Sequence, residues 1–281
     1  MKEHRTTFNI GEMCRVFEVS RSGYYDYIKR KPGKKAAADT KIKEVLIPSF
    51  KEHRKVYGPT RMSKVLSSLG IKIGRVRTGR LMKECDLVPV TYRPFIRTTE
   101  SDKKQKAFPD LVQRDFTAEK PDELWTSDIT YVWTLEDCFV YLAVILDVFS
   151  RYIVGWAIRK DLDAAVVLSA FSMAIQRRGV PKNFIFHTDK GGQYFSKILK
   201  SQLSLLDVKQ SMGSTGDCYD NAVTESFNAT IKKECIYLGP IKNFEDAHSK
   251  VFSYIETFYN PKRLHSTLGY VSPMEFESQK L

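Results

Sequence analysis

Paired cysteine is what this sequence most clearly lacks. Its 281 residues hold five cysteines, at positions 14, 85, 138, 218 and 235, with no CxxC pair and no Cys/His spacing of the zinc-binding kind. That argues against a disulfide framework and a structural zinc site, and predicts free thiols in a reducing cytoplasm. Long apolar runs are missing too. The longest, 139–146, is eight residues, against the ~20 needed to span a bilayer. The first thirty residues contain no apolar signal segment, so a soluble intracellular chain without a membrane partner is expected. No heptad repeat is sustained anywhere, which excludes a long coiled coil.

What is present is a globular composition, 42% hydrophobic, long enough for two domains. Charge is divided unevenly. Residues 1–108 carry 26 Lys and Arg against 11 Asp and Glu, a net of +15; residues 109–281 carry 19 against 22, a net of −3. A basic first part joined to a slightly acidic remainder points to a polyanion gripped by the first part.

The basic part reads as two helical units. In residues 1–35 an apolar helix around 13–19 meets Ser20 as N-cap, and a basic, tyrosine-rich helix follows. This is the outline of a helix-turn-helix, although any small helical hairpin gives the same pattern. KRKPGKK (29–35) is a Pro/Gly-broken basic hinge. Residues 36–88 form the second unit. Pro48 should kink or delimit its first helix, Pro59 starts a helix that Gly70 ends, and a last helix spans 75–87. That helix carries Arg75, Arg77 and Arg80, which either meet DNA or form a solvated basic face. Residues 89–122, with four prolines and the run SDKKQK, read as a basic linker.

From 123 to 281 the pattern changes. Strands are predicted at 124–133, 138–147 and 151–159, then a helix from an Asp163 cap to Arg178. A strand at 183–188, a helix at 196–206, a short strand near 208–212 and helices from about 220 and 243 follow. Strands first, then alternating helix and strand, predict an α/β layered sheet.

Three carboxylates stand out in this part. Asp128 interrupts LWTSDITYVW (124–133), where a charge is costly unless it is paired or binds a metal. Asp189 ends the strand that runs into HTDKGGQY (187–194). Glu225 lies in DNAVTESFNATIKKE (220–234), where Phe227, Ile231 and Cys235 make the apolar stripe and Asn221, Glu225, Asn228 and Lys232 a polar one. Three carboxylates make an all-oxygen site of the kind hard Mg²⁺ prefers, and two such ions ~4 Å apart serve phosphoryl transfer. Asp147, also at a strand end, is the rival for a place in that set. Asp217 and Asp220 read as capping or turn residues. His187 shares a strand face with Asp189; it either positions a phosphate or an attacking water, or is a core histidine. Gln193 and Tyr194 reach DNA or pack the loop. Lys232 is a point charge suited to a phosphate.

Asp128, Asp189 and Glu225, with 35 residues between the last two, resemble the acidic triad of the transposase and retroviral-integrase superfamily. HTDKGGQY, the Glu225 helix with Lys232 seven residues on, LDVFSRYIVGW (146–156) and YNPKRLHSTLGYVSPMEF (259–276) resemble the OrfB subunit of insertion sequence 3 family transposases, over about 11–276. The resemblance implies a ribonuclease-H-like α/β core, a mixed five-stranded sheet with flanking helices, behind helix-turn-helix units. It places the first carboxylate at Asp128 and leaves Asp147 in a strand-turn signature with Ser150 and Arg151. It differs from retroviral integrases in having no zinc-binding N-terminal domain.

The resemblance also implies chemistry and partners. It implies metal-dependent nicking at the element's 3′ end, then attack of the freed 3′-OH on another phosphodiester, with two Mg²⁺ that Mn²⁺ replaces. The expected partners are the element's terminal inverted repeats and target DNA, an OrfA subunit or OrfA–OrfB fusion, and further copies of the chain. A hydrolytic nuclease and a catalytically dead DNA-binding regulator are the competing readings; the presence of all three carboxylates opposes the second.

Overall fold

The structure, a computed structural model, describes residues 1–29, 34–90, 108–213 and 222–280. Outside them lie the middle of the basic hinge, residues 91–107 of the expected linker, and the loop with Asp217, Cys218, Asp220 and Asn221.

The N-terminal hairpin pairs α1 (Ile10–Val16) with α2 (Arg21–Lys29). Asn9 caps α1 by accepting the Gly11 N–H at 2.8 Å, and Ser20 caps α2 through the Gly23 N–H at 3.0 Å. Few of its side chains are buried, chiefly Met13, Cys14 and Tyr24. In the second unit α3 (Lys34–Glu52), α4 (Pro59–Ser68) and α5 (Arg75–Glu84) share one core. Pro48 does not delimit α3, which runs four residues past it. Leu46 and Phe50 on either side are buried, so tertiary packing carries the turn that proline deprives of a hydrogen bond. Pro59 occupies the first turn of α4, where its missing N–H costs nothing. Gly70 takes φ +82° after that helix.

The sheet comprises β1 (Leu124–Thr134), β2 (Cys138–Asp147), β3 (Ile153–Arg159), β4 (Ile185–Thr188) and β5 (Lys209–Met212). Its order is β3-β2-β1-β4-β5. The first three strands are antiparallel neighbours; β4 runs parallel to both β1 and β5. This is the mixed five-stranded sheet expected of a ribonuclease-H-like core. One face carries α6 (Ala164–Arg178) and α7 (Lys197–Leu205), packed on Trp125, Ala143 and Ile145. The other carries α8 (Ala222–Glu234) and α9 (Phe244–Tyr254), packed with Val132, Leu142 and Val144. The period-two alternation of strand side chains divides the two cores. After α9 come a π turn (Ile255–Tyr259), the short α10 (Asn260–Lys262) and α11 (Pro273–Lys280).

Residues 108–122, expected to be linker, lie against the core. Val112 is buried with Leu124 and Val148, and Phe116 packs beside them. The Leu111 N–H donates to Ser211 Oγ at 2.9 Å. The helical second unit is also not a separate bead, because its core continues into that of α8 and α9. No described helix is long and apolar enough to cross a membrane.

Gly155 sets how closely α6 approaches. Gly155 pairs with Ile145, which packs under that helix, and a β-carbon on Gly155 would stand 2.1 Å from the Ala170 carbonyl oxygen. Gly155→Ala should therefore lower the free energy of unfolding by about 3 kcal/mol, since α6 must lift from the sheet. Urea denaturation measures it, and a loss below ~1 kcal/mol would contradict this seating of α6.

Candidate active site

The register of two parallel strands sets up the site. β4 pairs with β1 from Leu124–Ile185 to Ser127–Thr188, and one step beyond the last pair stand Asp128 and Asp189. Parallel neighbours lie ~4.8 Å apart, so topology alone brings these two residues side by side.

α8 is fastened over the same point. Thr224 Oγ1 donates to Thr126 Oγ1 at 2.6 Å, and Asn228 Nδ2 donates to Asp128 Oδ2 at 2.7 Å. Four residues along the helix match two along the strand, which keeps both contacts on one helix face. Glu225 follows Thr224 and stands exposed in the first turn of α8. Lys232, one turn beyond Asn228, places Nζ 5.1 Å from the centroid of the Tyr131 ring.

Each carboxylate is uncomfortable there. Burial is the largest cause, and it pushes Asp128 up to about 7, with the charges of Asp189 and Glu225 adding to the shift. The Ile129 N–H, 2.8 Å from Asp128 Oδ1, and the Asn228 amide oppose it. Asp189 is also raised by burial, against the pull of the Gly191 N–H at 2.9 Å and of His187. Its side chain is nevertheless exposed, and solvent screens part of that effect. Glu225 is raised by burial and then by Asp189. Burial lowers Lys232 while Asp128 draws it back up. Gly191 matters because a β-carbon there would come within 3.0 Å of Asp189 Oδ1.

Among the described residues no three His, Cys, Asp or Glu side chains converge as a ready-made metal cage. The donors nevertheless suit a hard divalent cation, since they are carboxylate oxygens that destabilise one another. Asn228 Oδ1 beside them is buried without a hydrogen-bond partner among the described residues.

Other expected residues fall elsewhere. His187 is buried, with Nδ1 2.9 Å from Ser211 Oγ and Phe116 edge-on to its ring. Tyr194 is buried, its hydroxyl 3.0 Å from Ser127 Oγ. Both are core residues that support the strand ends, and neither side chain offers a surface to DNA. Gln193 is half-buried in the short turn Gly192–Phe195. On α5, Arg77 donates from Nε and Nη2 to Asp39 Oδ1 at 2.9 and 2.6 Å, and Arg80 donates to Asp39 Oδ2 at 2.6 Å and Glu84 Oε1 at 2.5 Å. These two arginines tie α5 to α3, although Arg80, like Arg75, remains exposed. Asp147 is fully buried and accepts from Ser150 N and Oγ and from Asp122 N, a structural role. Sequence reasoning missed that Asn228 and Thr224 clamp α8 to β1; the i, i+4 spacing of Thr224, Asn228 and Lys232 was the available signal.

Family models agree with this architecture. The integrase core domain model matches residues 118–218, a second integrase core model matches 206–273, and an HTH-like domain model matches 37–95. Solved structures that align include a simian T-cell lymphotropic virus intasome (15% identity, TM-score 0.49, 78% of this chain and 74% of that one). Another is the HTLV-2 integrase catalytic core with magnesium (19%, TM-score 0.44, 57% and 99%). The sheet and the matched models define an integrase-core protein of the polynucleotidyl transferase class. Among curated relatives, an insertion element IS600 31 kDa protein of Shigella sonnei is 36% identical over 270 residues, 95% of this chain and 98% of that protein. Transposase InsF for insertion sequence IS3A of Escherichia coli is 33% identical over 283 residues, 100% of this chain and 98% of the transposase. The chain belongs to the insertion sequence 3 family of transposases.

The raised pKa of Asp128 gives a pH test. Between the usual 3.8 and about 7 the folded carboxyl keeps a proton that the unfolded chain has released. Its contribution to stability is thus present at low pH and lost as pH rises through about 7. Without divalent metal, Asp128→Asn should be more stable than the wild type at pH 8, by on the order of 2 kcal/mol, with the gap closing toward pH 4. Chemical denaturation in EDTA at both pH values checks it; a difference that does not change with pH would refute the assignment.

Proposed function

We propose that this chain cuts and joins DNA at the ends of an insertion element, with Asp128, Asp189 and Glu225 as the catalytic carboxylates. The observation that carries the reading is the pairing of two carboxylates on adjacent parallel strand ends with a third on the helix clamped to the same strand. Asp128, Asp189 and Glu225 would hold Mg²⁺, two ions in this reading, with Mn²⁺ able to substitute. Bound metal would supply positive charge against the phosphate and would favour ionisation of the attacking oxygen.

The chain's own groups do the rest. Asn228 fixes the carboxylate plane of Asp128, and the Gly191 N–H fixes that of Asp189. Lys232 contacts a DNA phosphate near the cleft, and Gln193 contacts the strand at its lip. In the first reaction a water oxygen bonds to phosphorus, and the P–O3′ bond breaks to leave a 3′-OH. In the second that 3′ oxygen bonds to a target phosphorus as the target strand's P–O3′ bond breaks. The number of phosphodiester bonds is conserved in this joining, so no external energy source is required.

The basic helical units, with Arg75 on their exposed surface, bind the element ends. Two ends must be joined, so the chain acts as an oligomer, with an OrfA subunit or as an OrfA–OrfB fusion, in the bacterial cytoplasm. The test incubates purified protein with supercoiled plasmid and a labelled oligonucleotide bearing a free 3′-OH, in Mg²⁺, Mn²⁺ or EDTA, with and without OrfA. Joining of label to plasmid should require metal and fall at least about a hundredfold in Glu225→Gln. Nicking without joining would instead identify a nuclease, and binding unaffected by the substitution would identify a regulator.

A further inference from the structure

A recess of about 290 Å³ opens on the side of α8 next to Glu225, between that helix, the turn after β2, α4 and the segment after α10. Three arginines line it, Arg61, Arg151 and Arg263, together with Ser226 and Thr230 of α8. Arg263 is satisfied: Nε and Nη2 donate to Glu234 Oε2 and Oε1, both at 2.8 Å. Arg61 shares that carboxylate more loosely, at 3.7 Å. Arg151 differs from both, because its Nη1 is buried with no hydrogen-bond partner among the described residues.

The chain goes to some trouble to put Arg151 there. Its φ is +60°, in the left-handed region that residues bearing a β-carbon rarely occupy. Asp147 enforces that conformation: it accepts the Ser150 N–H at 3.0 Å and the Ser150 hydroxyl at 2.7 Å, and its carbonyl accepts the Arg151 N–H at 2.8 Å. A fully buried carboxylate thus holds a strained turn that presents a guanidinium without a partner. Glu234 pairs with two of the three guanidinium groups, Asp147 is taken up by its own turn, and the remaining polar groups of the lining are hydroxyls and His265. His265, which also lines the recess, is pushed down to about 3 by burial and by the three arginines, so it stays neutral in this positive surround.

An excess guanidinium, further cationic side chains and hydroxyl donors in a recess of this size suit a tetrahedral oxyanion. We propose that the recess receives a backbone phosphate of the DNA strand that lies across Glu225, with Arg151 as its principal ligand. The assignment rests on the DNA-joining reading above. It makes Arg151 a DNA-positioning residue and explains why the DVFSR turn is built as it is.

The test measures binding of a DNA duplex to the full chain by fluorescence anisotropy across a salt series, for the wild type, Arg151→Gln and Thr267→Glu. Thr267 is exposed at the rim of the recess, so the second variant places a negative charge at its mouth without disturbing the turn. Both variants should bind about tenfold more weakly whatever the DNA sequence, and the slope of log K against log salt should shrink by about 1. Equal affinity and slope in wild type and both variants would overturn the proposal while leaving the joining function intact. Inorganic phosphate that raises the wild-type Tm but not that of Arg151→Gln, with DNA binding unchanged in both variants, would assign the recess to free phosphate and overturn it as well. Absence of DNA binding by the wild type, both alone and together with OrfA, would overturn the function itself.

Discussion

A carboxylate placed in the middle of a strand is the constraint on which the catalytic half of this protein depends. Asp128 cannot lie charged among buried neighbours without compensation. The protein provides it only in part, through one backbone N–H and the Asn228 amide. What remains is a group raised to about 7, next to two further carboxylates that raise it more. Such a cluster is destabilising by itself and favourable toward a cation, and the instability is what makes it useful. The Asn228 contact then does two jobs, since the bond that steadies Asp128 also sets where Glu225 stands.

The other end of α8 is held as firmly. Glu234 accepts from Arg263 and from the Tyr254 hydroxyl at 2.8 Å, and Arg61 approaches from the helical second unit. The same unit reaches the C-terminal segment elsewhere. Arg54 donates to the Ser253 carbonyl at 2.9 Å, and the Tyr57 hydroxyl accepts the Leu264 N–H at 2.7 Å. Residues before and after the sheet therefore meet around one helix. A buried carboxylate with this many donors fixes geometry more than it adds stability. The geometry fixed here is the attitude of the helix that carries Glu225.

The turn after β2 shows how a residue that looks catalytic serves structure. Asp147 ends an apolar strand just as Asp189 does, yet its oxygens are taken up by N–H and hydroxyl donors of its own turn and of Asp122. The Ser150 hydroxyl bridges on to Glu277, which Arg178 also holds. Two aspartates at strand ends differ in their donors: those of Asp147 lie in its own turn and at Asp122, whereas Asp189 has the Gly191 N–H and stands beside Asp128.

Local chemistry could be read from the sequence wherever a residue's neighbours in the chain decide its conformation. The Asp163 cap, the Gly179 stop and the proline at the start of α4 are cases of this kind. The proposal of a triad starts from the same local evidence, because Asp128 is anomalous in its strand and Glu225 lies on the polar stripe of its helix. Failures came where distant residues decide. Pro48 stays inside α3 because the packing of Leu46 and Phe50 outweighs one lost hydrogen bond. The expected linker from 108 to 122 belongs to the core because Val112 finds Leu124 and Val148. Distant residues also decided between readings that the sequence left open: His187 and Tyr194 turn inward, and Arg77 and Arg80 pair with Asp39. The sequence by itself determined which elements form and which carboxylates are out of place. Only tertiary structure decided which polar groups are already satisfied and which, like Arg151, are left to bind something else, because pairing depends on contacts between residues far apart in the chain.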